Sequence, residues 1–412
     1  MAKSLFLSLQ QNTIKYNTMM KKAFRIITLA MAFVACLSAS AQEANSLAFR
    51  AGTRSPELKN DSVTFRFVAP KARKVEVSAS WLGYNAARLQ MAQGQDGVWS
   101  VSVPQPSPEL YTYTFVVDGV SMLDPANVMV QRDGSRYMNA LLIPGGYADA
   151  YAECSKPGNV EHVWYYSAEN SMTRRMYVYT PYGYDRNNKK VKYPVLYLLH
   201  GGGGDEDAWS TLGRTAQILD NMIASGKAEP MIVVMPNGNP NQYAAQTLGI
   251  PVKTDVKQYA SGFDNYSSLV ADILPYVEKN YNVIKNRKGR AIAGLSMGGG
   301  QSFFIAFRNV DVFANVGIFS SGLIGSTAIG GEPFDAEKLF PGMYSAPAKY
   351  NKFDVIYLAC GEQDNRIDGM KDFKQKLDQN GYKGVVWEQY PGAHEWKVWR
   401  RNLAAFVQLI FK

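Results

Sequence analysis

The chain has 412 residues, with 44 Lys and Arg against 35 Asp and Glu and only three histidines. Much of its net charge of +9 belongs to residues 1–41, which hold Lys3, Lys15, Lys21, Lys22 and Arg25 and no acid. The remaining balance of 39 basic to 35 acidic residues gives no reason to expect a nucleic acid or an anionic membrane as partner.

Lys21-Lys22 opens an apolar run over 23–37 that only Arg25 and Thr28 interrupt, and Ala39-Ser40-Ala41 then offers a small-residue cleavage site before Gln42. This pattern predicts a signal peptide over 1–41, too short and wrongly flanked for a membrane span, and hence an exported protein, periplasmic or secreted. Met19 or Met20 is the expected start, with 1–18 an upstream extension. Val34-Ala35-Cys36 carries a weaker lipoprotein signal, because Phe33 fits that cleavage pattern poorly. Cys154 and Cys360 then remain, and their spacing leaves pairing open. The chain has no CxxC pair, HExxH or paired-histidine pattern, so neither a metal nor another cofactor is expected.

Beyond the leader, about 370 residues exceed the usual length of one domain. The first part alternates. Val63, Phe65 and Phe67 take turns with polar neighbours, as do Val75 and Val77, then Trp99, Val101 and Val103, then Tyr111, Tyr113, Phe115 and Val117. Period-two alternation means strands with one buried face. Asp96-Gly97 and Asp118-Gly119 stand at hairpin spacing. A small all-β, Ig-like sandwich is expected over 47–143, followed by a linker over 144–159. Trp99 alternates inward and belongs to its core. Trp81 and Tyr84, in a loop, are the candidates for stacking on sugar rings, or for packing on the next domain.

From 160 to 412 strands alternate with helices. Apolar strands are expected at 175–180, 195–199, 231–235, 291–293, 316–319, 355–360 and 385–390, with a helix over 266–281 kinked at Pro275 and a closing helix over 402–411. Continuous apolar strands joined by helices predict an α/β domain with a mostly parallel sheet covered on both faces.

The chemistry collects just after these strands, where ligands bind in such sheets. Gly294-Leu295-Ser296-Met297-Gly298 reads G-x-S-x-G between a short apolar strand and a helical stretch, the setting of a nucleophile elbow. A serine hydroxyl needs a base. In the chain order Ser, acid, His of the α/β-hydrolase arrangement, only His394 qualifies, in Gly392-Ala393-His394-Glu395-Trp396. The acid belongs in Gly361-Glu362-Gln363-Asp364-Asn365-Arg366-Ile367-Asp368. Asp364 is the choice, with Glu362 and Asp368 as rivals. Asp368 is also well placed to cap the following helix. His200 followed by four glycines resembles an HGGG-type loop whose backbone amide donates to an oxyanion. The amide of Met297 is the expected second donor. Trp209 and His200 are the candidate substrate contacts, with Trp209 standing equally as core. Trp399 reads as core packing.

These residues carry a family resemblance over roughly 160–412. Gly294-Leu295-Ser296-Met297-Gly298-Gly299, His200 with its glycines, and Gly392-Ala393-His394-Glu395-Trp396-Lys397-Val398-Trp399 are together similar to the esterase-D and antigen-85-like hydrolases, and most of all to carbohydrate esterase family 1, the feruloyl and acetyl-xylan esterases. The first module resembles the Ig-like carbohydrate-binding module found before glycogen-branching enzymes and, in Bacteroidetes, before exported esterases. The resemblance implies an α/β-hydrolase fold with Ser296 as nucleophile, Asp364 as acid, His394 as base, and the amides of Gly202 and Met297 as oxyanion hole. It implies ester-linked ferulate or acetate on a plant cell-wall polysaccharide or acylated oligosaccharide as substrate. A siderophore esterase of the enterochelin type and a non-catalytic glycan-binding protein are the competing readings. The first needs a basic pocket, the second a broken triad.

Overall fold

Alternation of apolar and polar side chains builds the first strands where it is expected. In Ser62–Val68 every second residue is buried: Val63, Phe65 and Phe67. This strand pairs antiparallel with Val98–Pro104, bringing Phe67 opposite Trp99. The Trp99 ring is buried and its N–H donates to the carbonyl of Ala69, so it is core as expected. Asp118 and Gly119 both take positive φ in the turn between Glu109–Val117 and Val120–Met122. That is the mirror-image hairpin turn such a dipeptide favours.

The computed structural model describes residues 53–83, 86–255, 263, 266–325 and 333–412. The expected leader over 1–41 and Tyr84 lie outside them. Two compact units emerge. One holds the described residues up to 78 with 85–105 and 114–128, and the other holds 79–84, 106–113 and 129–412. The division does not fall at 143. Within the second unit, Glu109–Tyr113 pairs with Ile143–Asn139, and Leu110 and Ala140 are buried in one cluster with Leu196, Trp209 and Phe406. Apolar side chains of 106–113 and 129–143 thus share the core of this second unit.

That unit is built on an eight-stranded sheet: β1 (Asn159–Ser167), β2 (Met172–Thr180), β3 (Val195–Leu199), β4 (Ile232–Pro236), β5 (Arg290–Leu295), β6 (Asn315–Phe319), β7 (Val355–Gly361) and β8 (Val385–Tyr390). The order is β1-β2-β4-β3-β5-β6-β7-β8. β2 runs antiparallel to β1 and β4, and the other neighbours are parallel. Alternate residues of β3 enter opposite cores: Val195, Tyr197 and Leu199 on one side, Leu196 and Leu198 on the other. Both faces are therefore covered, which is why these strands read as unbroken apolar runs.

Five helices matter below: α1 (Thr215–Ala224), α2 (Leu274–Asn280), α3 (Met297–Arg308), α4 (Ile367–Gln379) and α5 (Trp396–Phe406). Upstream of α2, Leu269–Ile273 forms a π-helical turn. Pro275 has no N–H to return to the preceding turn, and the wider coil takes the place of the expected kink. β1 was not expected, because it presents aromatic or ring side chains to solvent at His162, Trp164 and Tyr166, which hides the usual pattern. His162 lies on this strand and stacks on Tyr177 at 3.9 Å.

Candidate active site

β5 ends at Leu295 and α3 begins at Met297, so one residue makes the turn. That residue, Ser296, has φ 50° and ψ −114°, a conformation a side chain tolerates only when the surroundings impose it. Its N–H donates to Phe319 O (2.9 Å), while its carbonyl accepts from Gly300 N (3.0 Å) and Gly322 N (2.6 Å). The flanking glycines are steric necessities. A Cβ on Gly294 would lie 2.4 Å from Gly298 O, and one on Gly298 would lie 2.5 Å from the carbonyl oxygens of both Leu199 and His200.

The serine hydroxyl meets His394: Oγ lies 2.9 Å from Nε2. On the other side Nδ1 lies 2.7 Å from Asp364 Oδ2. This network assigns the proton to Nδ1, donating to the carboxylate, and leaves Nε2 to accept from Ser296. Asp364 Oδ1 accepts from the backbone N–H and the guanidinium of Arg366, at 3.1 and 3.2 Å. Burial alone would raise the Asp364 carboxyl. The hydrogen bond and charge of His394 and the Arg366 N–H outweigh it and hold the group at about 2. Glu362 and Asp368 are exposed. Asp368 does not cap α4 either: Arg366 holds the N-cap position, without a side-chain cap, and Asp368 falls inside the first turn.

Two residues that sequence reasoning passed over bring acid and base together. A Cβ on Gly361 would lie 2.4 Å from Gly392 O and 2.5 Å from Ala393 O, so the histidine loop closes on the end of β7 only because position 361 is bare. Gln363 then ties the loops, accepting from Gly392 N at 2.6 Å while its own N–H donates to Gly392 O at 3.0 Å. The spacing G-x-x-D contained the first of these signals. Behind the imidazole, Trp399 packs edge-on at 4.8 Å and is buried, as expected of a core residue.

The glycine loop abuts the elbow. A Cβ on Gly201 would meet the Leu295 and Ser296 side chains at 2.6 and 3.2 Å, whereas one on Gly202 would meet nothing within 4 Å. Gly202 therefore borders open space next to the serine. Met297 is the first residue of α3, where the N–H has no partner in the preceding turn and the helix dipole favours negative charge.

Both candidate substrate contacts are corrected. Trp209 is 1% exposed, donates its N–H to Leu199 O at 2.9 Å and packs edge-on against Trp396 and Phe319. It has no face to offer a ligand. His200 is also 1% exposed. Its Nδ1–H donates to Gly201 O and its Nε2 accepts from Gly238 N, both at 2.8 Å. Both nitrogens are spent holding the loop after β3 to the loop after β4, and burial lowers its pKa, keeping the ring neutral. Cys360 is buried, Cys154 is half-buried, and both are free thiols. Trp81 is half-buried and packs edge-on against Tyr111. Among the described residues no cluster of three His, Cys, Asp or Glu side chains is arranged to hold a metal ion, and no helix is long and apolar enough to cross a membrane.

Comparison with known proteins matches residues 167–410 to the family described as Putative esterase, and residues 52–130 to carbohydrate-binding module 48, the isoamylase N-terminal domain. An endo-1,4-beta-xylanase/feruloyl esterase of Xylanibacter ruminicola is 31% identical over 354 residues, covering 84% of this chain and 44% of that protein. Endo-1,4-beta-xylanase Y of Acetivibrio thermocellus is 29% identical over 54% of this chain and 20% of its own length. This chain thus spans less than half of each of these relatives. Among solved structures, a ferulic acid esterase aligns with TM-score 0.50 and 27% identity over 61% of this chain and 97% of its own. The CE1 ferulic acid esterase of Anaeromyces mucronatus aligns with TM-score 0.51 and 25% identity over 64% and 95%. The enterobactin esterase of Shigella flexneri aligns over 88% of this chain and 98% of its own with TM-score 0.62, and at 17% identity it shows a shared fold.

Proposed function

This chain belongs to the putative-esterase family, and on that premise we propose that it is a serine carboxylesterase releasing ferulate, or acetate, from xylan-type hemicellulose. The observation that carries the chemistry is the unbroken relay from Ser296 Oγ through His394 to Asp364, at 2.9 and 2.7 Å. The relative named for feruloyl ester hydrolysis, 31% identical over most of the chain, favours ferulate as the acyl group.

The proposed cycle runs through this relay. Ser296 Oγ attacks the ester carbonyl carbon as its proton passes to His394 Nε2. Asp364 keeps the imidazole in the tautomer that can accept and stabilises the cation that forms. The oxyanion is assigned to the amides of Gly202 and Met297, each such donor contributing on the order of 10²–10³ in turnover. Collapse of the intermediate breaks the ester C–O bond, and the sugar oxygen leaves with the proton from Nε2. Water then attacks the acyl-serine, giving its proton to Nε2, and the carboxylic acid departs as Ser296 recovers its own.

The match of 52–130 to module 48 supports a polysaccharide-holding role for the N-terminal unit. Export, with cleavage before Gln42, rests on the basic, apolar and small-residue order of residues 21–41. The siderophore reading stands second, because the Shigella enterobactin esterase aligns across both modules.

The test uses the protein lacking residues 1–41, with Ser296→Ala as control, on feruloylated and acetylated xylo-oligosaccharides side by side. Ferulate release abolished by the substitution is the expected result. Acetate release alone would assign a small acyl pocket. No release from either, with cleavage of a catecholate trilactone, would replace the hemicellulose reading by the siderophore one.

A further inference from the structure

The loop after β3 carries the assigned Gly202 amide, yet it contains four consecutive glycines, Gly201–Gly204, the residues with most conformational freedom to lose. An oxyanion donor works only if it is held in place before the reaction. Something must therefore hold this loop, and its own backbone contributes little: Gly204 N donates to Gly201 O at 3.1 Å, and the Asn239 side chain reaches Gly204 O at 3.0 Å.

The His200 ring fixes the first glycine, and the rest of the restraint comes from three acids that follow the glycines, Asp205, Glu206 and Asp207. Asp205 and Glu206 are buried. Buried carboxylates need paired cations. Glu206 takes Arg175 of β2 at 2.7 Å and also accepts from Ala245 N and Asn237 Nδ2. Asp205 takes both arms of Arg132, at 2.8 and 2.7 Å, and the second arm also reaches Asp207 at 3.1 Å. Arg132 is itself only 11% exposed and donates to Gly134 O at 2.8 Å, closing its own hairpin turn. The neighbouring Gln131 side chain donates to Thr211 O at 2.8 Å, fixing the same hairpin beyond the acids.

Arg132 lies on the strand Val130–Asp133, which pairs with Arg136–Ile143. This hairpin begins at the last residue of the first matched segment and ends before the second starts at 167, yet lies within the same compact unit as the triad. We propose that Arg132 is a positioning residue for the esterase reaction: its bidentate grip on Asp205 and its contact with Asp207 hold the glycine loop so that the Gly202 amide faces the developing oxyanion. This inference rests on the oxyanion assignment made above. A planar fork suits the task because it fixes direction as well as distance, which an ammonium does not.

The test compares wild type, Arg132→Met and Arg132→Lys in the protein lacking residues 1–41. The primary readout is the rate at which a fluorophosphonate labels Ser296, per folded molecule, because the phosphonyl oxygen must enter the oxyanion hole. Melting temperature, and kcat and KM on methyl ferulate, are measured alongside. For Arg132→Met the labelling rate and kcat are expected to fall about 10–100-fold, with KM within about twofold, a partial loss of one oxyanion donor. Arg132→Lys keeps the charge and is expected to recover most of the melting temperature while labelling stays at least about fivefold slow, since it lacks the fork. Labelling at the wild-type rate in either folded variant overturns the inference, as does a lysine variant that recovers rate and stability together. Wild-type protein that folds but leaves Ser296 unlabelled overturns the active-site reading itself and this inference with it.

Discussion

Gly298→Ala separates helix propensity from the geometry of the elbow. Gly298 is the second residue of α3, and in an isolated helix alanine there would be favoured by about 1 kcal/mol. The tertiary structure reverses the sign. The new Cβ would lie 2.5 Å from both Leu199 O and His200 O, against an ordinary contact distance of 3.4 Å or more. Both oxygens are backbone atoms at the end of β3 and its loop, so no side chain can swing away. The start of α3 must retreat by roughly 0.9 Å, a strain of about 1–3 kcal/mol for overpacking. For a domain of this size the melting temperature should fall by roughly 2–12 °C. The retreat also carries Ser296 and the Met297 amide away from His394 and the glycine loop, and a displacement near 1 Å costs on the order of 10² in rate. Thermal unfolding and kcat/KM on methyl ferulate would be measured together, with Gly202→Ala as stability control, because its Cβ meets nothing within 4 Å. A Gly298→Ala protein with wild-type melting temperature and wild-type kcat/KM would refute the steric account of the elbow.

Asp364 is held at about 2 against an ordinary 3.8, so the unfolded chain takes up its proton first as pH falls. Its contribution, about 2 kcal/mol, is complete above roughly pH 4 and is lost between there and pH 2. Urea unfolding at pH 5 and pH 3 should show this loss in wild type and not in Asp364→Asn, whose kcat should drop on the order of 10³–10⁴-fold because the imidazole loses its orienting acceptor. His200→Ala should destabilise by about 1–3 kcal/mol in urea titrations, since it strands the Gly238 N–H in a closed interior, while the Gly201 carbonyl keeps its bond from Gly204 N. Burial lowers the His200 pKa, so below about pH 6.5 only the unfolded chain gains that proton. Wild-type stability should therefore decline from pH 7.5 to 5.5 by more than that of the variant.

The elements that follow one local rule were legible in the sequence. Val63, Phe65 and Phe67 alternate because one sheet face is dry, and Val195 to Leu199 run unbroken because both faces are. Ser296 and His394 were legible for a different reason. A nucleophile elbow demands small residues at fixed offsets, and three histidines leave one in the required chain order. The acid was narrowed to three carboxylates and no further, because its identity depends on which one the loop beyond Gly361 turns toward the imidazole. Trp209 and His200 were misread as substrate contacts because burial is not written in a motif. Whether a ring faces the cleft or the core is decided by the packing of Trp396 and Phe319 on one and the amide of Gly238 on the other. The hairpin of Arg132 lay in what the period-two pattern assigned to the sandwich, and its ion pair with Asp205 joins residues 73 positions apart. The sequence by itself determined the fold class and singled out Ser296 and His394 as candidate nucleophile and base, because periodicity and short motifs are local constraints on the backbone. Only the tertiary structure decided which carboxylate meets the imidazole, the struts behind the candidate-site loops and the inclusion of 79–84 and 106–113 in the same unit, because those depend on burial and distance between segments that the chain order keeps apart.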